Sequence, residues 1–217
     1  MLQAAALLLL LTPLRCAAMS YSLGAARAAS GARVNVLRLS GLIAGGEWGP
    51  WSYYTSLLDP ALDTLIVVDS PGGAVPGGFF LLGKVEEFQA RQAAAGRKVA
   101  VLAARDCSSM CIPVFYFFDR RMAEPDARFG FHGISLGGLG YDPEQTALYL
   151  GKLRDKAKER GDGRVGSWLS ARASEGVFSS ADLKPIAARA LAAQDSGLLE
   201  PESVVADEQA AIDALER

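Results

Sequence analysis

Two short runs constrain this chain more than any other feature: Leu65-Ile66-Val67-Val68 and residues 98–103. The first is wholly apolar and rich in β-branched side chains, as a strand buried on both faces must be. The second reads the same way after its opening Lys98. Each run is closed by a turn and followed by a helical pattern. Ser70-Pro71-Gly72-Gly73 leads into a helix over 77–92, and Cys107-Ser108 leads into an apolar helix candidate over 109–118. Strand, turn and helix repeated in this order predict an α/β fold with parallel strands and right-handed crossovers. Around that centre, residues 34–39 alternate as a strand, and residues 51–58 form a short helix ended by Asp59-Pro60. Phe129-Gly130-Phe131 starts a further extended segment. Residues 143–160 read as a charged amphipathic helix and 180–193 as another. The tail after Glu200 is acidic and alanine-rich, and no linker divides the chain.

The 217 residues suffice for one domain with a full core. Half are hydrophobic and 21% charged, which marks a globular chain. A net charge of −2 supplies no basic field, so nucleic acid is excluded as an expected partner. Ala4 to Leu11 is an unbroken apolar run followed by Thr12-Pro13. It falls short of the ~20 apolar residues a membrane span needs and suits the core of an export signal. No Lys or Arg precedes it, and Arg15 follows it. Cleavage points are offered after Ala18 and after the Ala26-Arg27-Ala28 triplet. Residues 1–28 are therefore expected to be a signal peptide or N-terminal membrane anchor, with 29–217 as the folded domain. The expected location is periplasmic or secreted, or membrane-anchored. A lipoprotein reading of Cys16 is weakened by its Leu14-Arg15 lead-in. The alternative is a cytosolic protein with a loose N-terminus.

Three elements carry chemistry. Ser109 lies just after a buried strand and just before an apolar helix, where unpaired N–H groups point outward. A serine there serves as an attacking group or as a plain helix cap. His132 is the single histidine of the chain. Histidine is the usual base for a serine nucleophile, although a lone histidine is more often structural. Ser70-Pro71-Gly72-Gly73 is at least a tight turn, and its second glycine also permits close approach of a substrate carbonyl to an exposed N–H.

In this order the three elements resemble the proteolytic subunit of the Clp protease and its relatives, including the signal peptide peptidase A group. That family carries Asn/Asp-Ser-Pro-Gly-Gly after a strand, then a serine before Met or Ala, then a histidine some two dozen residues on. Here the interval from Ser109 to His132 is 23 residues, and Leu136-Gly137-Gly138 resembles the family's glycine-containing segment. The resemblance covers about residues 33–200. It implies a Clp-protease/crotonase-like α/β fold, a repeated β-β-α superhelix around a parallel sheet. It implies a serine peptidase acting through an acyl-enzyme, with Ser109 as nucleophile and His132 as general base. The backbone N–H groups of Gly73 and Met110 match the oxyanion hole. Segments after Gly73 and over 133–140 would flank an extended peptide. A peptide or protein substrate and a homo-oligomer follow from the same likeness, which implies no cofactor. Cys107-x-x-x-Cys111 with one distant histidine is too poor in ligands for a metal. The lack of a nucleotide-binding loop and the expected export argue for independence of ATP, and the N-terminus offers membrane association.

The family's third residue, an Asp some fifty positions past the histidine, has no clean match. Glu175, before Phe178, is the first candidate, and Asp182 the alternative. The signal peptide peptidase group uses a lysine instead, which points to Lys152, Lys156 and Lys158. Their charged surroundings read as a solvated face, and histidine is the preferred base. Cys107 and Cys111 read first as two small buried side chains, because i and i+4 Cβ atoms on a helix lie ~6 Å apart and a disulfide needs ~3.8 Å. A turn over 107–109 would instead let them bond. Two further readings stand beside the hydrolase. One is an inactive peptide-binding member, favoured by the missing acid. The other is a crotonase-like acyl-CoA enzyme, against which the Ser–His pair counts.

Overall fold

The structure, a computed structural model, describes residues 18–135 and 140–217. Its centre is built from β2 (Arg33–Ser40), β3 (Asp63–Ser70) and β4 (Val99–Cys107), which pair in parallel. Their side chains alternate between two cores. Leu37, Leu39, Ile66, Val68, Val101 and Ala103 face one side. Val34, Val36, Leu65, Val67, Ala100 and Leu102 face the other. This is the physical reason for the continuous apolar runs: with both faces covered, no position is left for water.

α1 (Trp48–Ser56) and α2 (Val75–Ala94) cover the first face, with Leu81, Leu82, Val85 and Phe88 of α2 wholly or almost wholly buried. Proline in the first turn of α2 suits its start, since the N–H it lacks would have no helical partner. The second face is closed by the C-terminal helix α7 (Glu208–Glu216) through Ala211, Ile212 and Leu215. Asp207 caps α7 by accepting from the Ala210 N–H at 2.8 Å.

The sheet continues past β4 to β5 (Arg121–Ala123) and β6 (Arg128–Phe131), both parallel to β4, and ends at β7 (Lys184–Ala187), antiparallel to β6. On the opposite edge β1 (Ser20–Arg27) runs antiparallel to β2 along its whole length. The sheet is thus parallel at the centre, as expected, and antiparallel at both ends. α3 (Cys111–Tyr116), α4 (Pro143–Glu159) and α5 (Gly163–Ser174) lie between β4 and β7 in the chain.

Two expectations are corrected, and one helix had not been foreseen. Residues 180–193 are not one helix: β7 comes first, and only α6 (Ala188–Ala192) is helical, because Pro185 cannot donate within a helix. Residues 163–174, which drew no assignment, form α5 around buried Val165, Trp168 and Leu169. Finally, Ser20–Arg27 falls inside the segment assigned above to 1–28, so the folded chain starts before residue 29. The apolar run 4–11, Cys16 and Leu136-Gly137-Gly138 lie outside the described residues. Among those described, no helix is long and apolar enough to cross a membrane.

Candidate active site

The glycine turn, Ser109 and His132 converge on one cleft where β3 and β4 end. The chain leaves β3 at Ser70, and Ser70 Oγ donates to the Gly41 carbonyl at 2.7 Å and accepts from the Gly72 N–H at 3.1 Å. Gly72 and Gly73 both have positive φ, 94° and 147°. Neither tolerates a side chain. A Cβ at Gly72 would lie 2.6 Å from Ser109 Cβ, and one at Gly73 would lie 2.2 Å from the Ile43 carbonyl oxygen. The glycine pair thus lets two backbone segments press against the turn: the Ser109 loop on one side and the strand-like bridge from Ile43 on the other.

Ser109 sits between β4 and α3 with φ of 52°, left-handed for a non-glycine residue. Such a conformation costs ~1–3 kcal/mol and persists only where surroundings enforce it. Here the Ser109 N–H donates to the Gly130 carbonyl at 2.8 Å, and its carbonyl accepts from the Ile112 N–H at 3.0 Å and the Tyr149 hydroxyl at 3.2 Å. The Ser108 N–H donates to the Ser70 carbonyl at 3.0 Å, tying the loop to the β3 turn. Its hydroxyl donates to Asp106.

Cys107 and Cys111 are bonded, with Cα atoms 5.0 Å apart. This corrects the reading as two separate buried side chains. Cys107 ends β4 and Cys111 opens α3, so the intervening residues form a turn rather than the helix on which the i and i+4 distance was judged. The disulfide closes a short ring with Ser109 at its middle.

His132 follows β6 and shares a cleft of about 680 Å³ with Ser109 and Gly73. Pro71, Val75, Pro76, Ile134, Ser135 and Gln145 are among its other walls. His132 Nδ1 lies 2.6 Å from the Gly133 carbonyl oxygen. A carbonyl can only accept, so Nδ1 is the donor here and Nε2 is the ring nitrogen left to take a proton. The loop is held in turn: the Gly133 N–H donates to the Ser180 carbonyl at 2.7 Å, and the Ile134 N–H to Thr146 Oγ1 at 2.8 Å. Among the described residues no hydrogen bond joins Ser109 Oγ to His132.

The N–H groups of Gly73 and Met110 have no protein acceptor among the described residues. Gly73 lines the cleft beside Ser109, and Met110 follows the serine directly at the start of α3. Met110's side chain is fully buried and packed against Gly78, whose absent Cβ leaves room for it. The cleft therefore combines a hydroxyl, an imidazole and the unclaimed Gly73 N–H, while the Met110 N–H, also unclaimed, lies next to the serine in the chain but not among the cleft walls.

The carboxylates go elsewhere. Glu175 ends α5 and pairs with Arg172 at 2.7 Å, its side chain 51% exposed. Asp182 is exposed and accepts from the Ser180 hydroxyl at 3.1 Å. Neither is brought to His132, whose Nδ1 is met by a backbone carbonyl instead. The lysines are also absent from the cleft wall among the described residues. Lys152 and Lys158 are exposed. Lys156 is buried but bound to Glu86 at 2.6 Å and Glu159 at 3.1 Å. Burial disfavours its charge, yet the two carboxylates together outweigh that and raise its pKa above the ordinary lysine value. A base needs the opposite.

Ile134 and Ser135, within the 133–140 segment expected beside a peptide, line the cleft; Gln145 lines it without having been singled out, and Tyr149 reaches Ser109 from 40 positions away. The helical spacing of Gln145 and Tyr149 puts both on one face of α4, but nothing local marks that face as the one turned to Ser109. Among the described residues no group of three or more His, Cys, Asp and Glu side chains is placed to hold a metal ion.

No protein-family profile matches the chain, and no curated protein matches it by sequence. Among solved structures it is similar to a serine-to-alanine mutant of the 1510-N membrane-bound stomatin-specific protease, at 16% identity and a TM-score of 0.57. The alignment covers 81% of this chain and 79% of that one. The chain therefore has an α/β fold of the kind seen in that protease.

Proposed function

We propose that the protein is a serine-type peptidase working through a Ser109–His132 dyad. One observation carries the reading: Ser109 is held left-handed on a cleft it shares with His132 and with the unclaimed N–H of Gly73, and the N–H of the next residue, Met110, is likewise unclaimed among the described residues. In the proposed reaction, Ser109 Oγ attacks the scissile carbonyl carbon as its proton passes to His132 Nε2. The resulting oxyanion takes hydrogen bonds from Gly73 and Met110, each worth about 3 kcal/mol in the transition state. The C–N bond then breaks, and His132 returns the proton to the leaving amine. Water, deprotonated by the same nitrogen, releases the acyl group. The Gly133 carbonyl takes the orienting role usually given to an acid. Ser109 and His132 have to close to hydrogen-bond range when substrate enters, as such pairs commonly do.

The finer reading belongs to the Clp-protease and crotonase-like group with its superhelical β-β-α winding. An exported, ATP-independent, self-assembling enzyme is part of the proposal. It rests on the motif order Asp69 to Gly73, Ser109-Met110 and His132, and on the apolar run near the N-terminus.

A fluorophosphonate probe tests it. The expected result is covalent labelling at Ser109, absent in Ser109→Ala and slowed at least ~100-fold in His132→Ala. A folded protein that takes no label refutes the hydrolase and leaves the second reading, a groove that binds extended peptide without cleaving it. That reading is favoured by the lack of a carboxylate on His132 among the described residues. Unchanged labelling in His132→Ala would remove the base assignment.

A further inference from the structure

We infer that Tyr149 is a positioning residue for the nucleophile: its hydroxyl holds the Ser109 carbonyl and so keeps Oγ turned to the cleft. The inference rests on the hydrolase reading above. Ser109 adopts a backbone conformation that a serine leaves readily unless restrained. Two of its restraints come from backbone groups, the Gly130 carbonyl and the Ile112 N–H. The third is the Tyr149 hydroxyl, contributed by the side chain of a different element. Tyr149 is almost fully buried, so no water competes for that bond. Burial also pushes its pKa well above the ordinary tyrosine value, so the hydroxyl remains a donor throughout neutral pH.

The rest of α4's first turns points to the same role. Thr146 Oγ1 accepts from the Ile134 N–H and donates to the Asp142 carbonyl at 2.7 Å, while the Asp142 N–H donates to the Ile134 carbonyl at 2.7 Å. Ile134 is two residues past His132. One helix therefore grips the segment carrying the base at Asp142 and Thr146, and the nucleophile loop at Tyr149. It fixes the two reacting groups relative to each other, in a site where no carboxylate ties His132 down among the described residues. Tyr149 itself touches neither substrate nor reacting atoms.

The test is Tyr149→Phe, which deletes the hydroxyl and keeps the ring. At a temperature where circular dichroism shows the variant fully folded, the fluorophosphonate labelling rate should fall roughly fivefold to tenfold, the effect of one such hydrogen bond. With a peptide substrate, kcat should fall with KM unchanged, and the pH at which activity is half-maximal on the acid side should not move, because the base is untouched. A purely structural tyrosine would lower the melting temperature and leave kcat of the folded enzyme as it was, and that result overturns the inference. If Tyr149→Phe does not fold, Tyr149→Met removes the same donor and should show the same loss of kcat. Failure of both to fold assigns Tyr149 to the core and overturns the positioning role. Wild-type protein that takes no label overturns the hydrolase and this inference together, whereas labelling at equal rates in wild type and Tyr149→Phe overturns the inference alone.

Discussion

Gly72 and Gly73 show how narrowly single residues are constrained at the site. Both need positive φ, and both are pressed by backbone atoms that cannot rotate away. Gly73→Ala is expected to displace the Ile43 bridge and cut the labelling rate of Ser109 by more than tenfold, through loss of one oxyanion donor. Gly96, also at positive φ but with open space around its Cβ position, should cost stability on substitution and leave the labelling rate of the folded protein unchanged. Comparing the two variants by labelling and thermal melting separates backbone strain from damage to the site. Lys156 offers a pH test. Its folded pKa is raised above the unfolded value, so its ion pairs with Glu86 and Glu159 stabilise the fold at neutral pH and below the ordinary lysine range. That contribution disappears as pH rises through the folded value. Urea unfolding of Lys156→Met should therefore show a smaller loss of stability between neutral and strongly alkaline pH than wild type. The glycine pair was legible in the sequence because turn chemistry is local. The pairing of Lys156 with Glu86, 70 positions away, was not.

At the scale of elements, the nucleophile turn and β1 make the clearest claims. The Cys107–Cys111 ring is short, so in the chain-entropy picture it constrains the unfolded state by only ~2 kcal/mol. Replacing both cysteines with alanine should lower unfolding free energy by about that amount, measured by urea titration. β1 pairs with β2 from Ser20 to Arg27. A chain starting at residue 29 loses that pairing and bares the β2 edge, a template for aggregation. It should melt earlier and aggregate, whereas a chain starting at residue 19 should behave as the full protein does, by scattering and thermal unfolding. A cut after Ala18 leaves β1 whole and one after Ala28 removes it. β1 escaped the sequence reading because most of its side chains are exposed and Gly24, Ala25 and Ala26 lack strand character. α5 escaped because its apolar positions are few.

The described residues form a sheet with two cores, and the larger of them lies on the side of the site. Ser109, His132 and the cleft belong with the larger core, which includes Met110, Phe131 and Ile134. α7 seals the smaller one. Leu215→Ala should therefore destabilise the fold by about 2–5 kcal/mol. Well below the melting temperature it should leave fluorophosphonate labelling unchanged. The likeness to the stomatin-specific protease concerns this overall architecture, not residue-level chemistry.

By itself the sequence determined the features set by neighbours in the chain. The twice-buried strands at β3 and β4, the Pro-Gly-Gly turn, the helices α2 and α4 and the placement of Ser109 after a strand all follow from short windows of residue types. Only the tertiary structure decided which distant groups meet. It put Tyr149 on the Ser109 carbonyl and closed Cys107 on Cys111 by making the loop a turn. It gave His132 the Gly133 carbonyl as partner, and it sent Glu175 and Asp182 to the surface. The reason is physical: backbone and turn preferences act over a few residues, whereas these contacts depend on how helices and strands pack across the sheet, which no local window of sequence encodes.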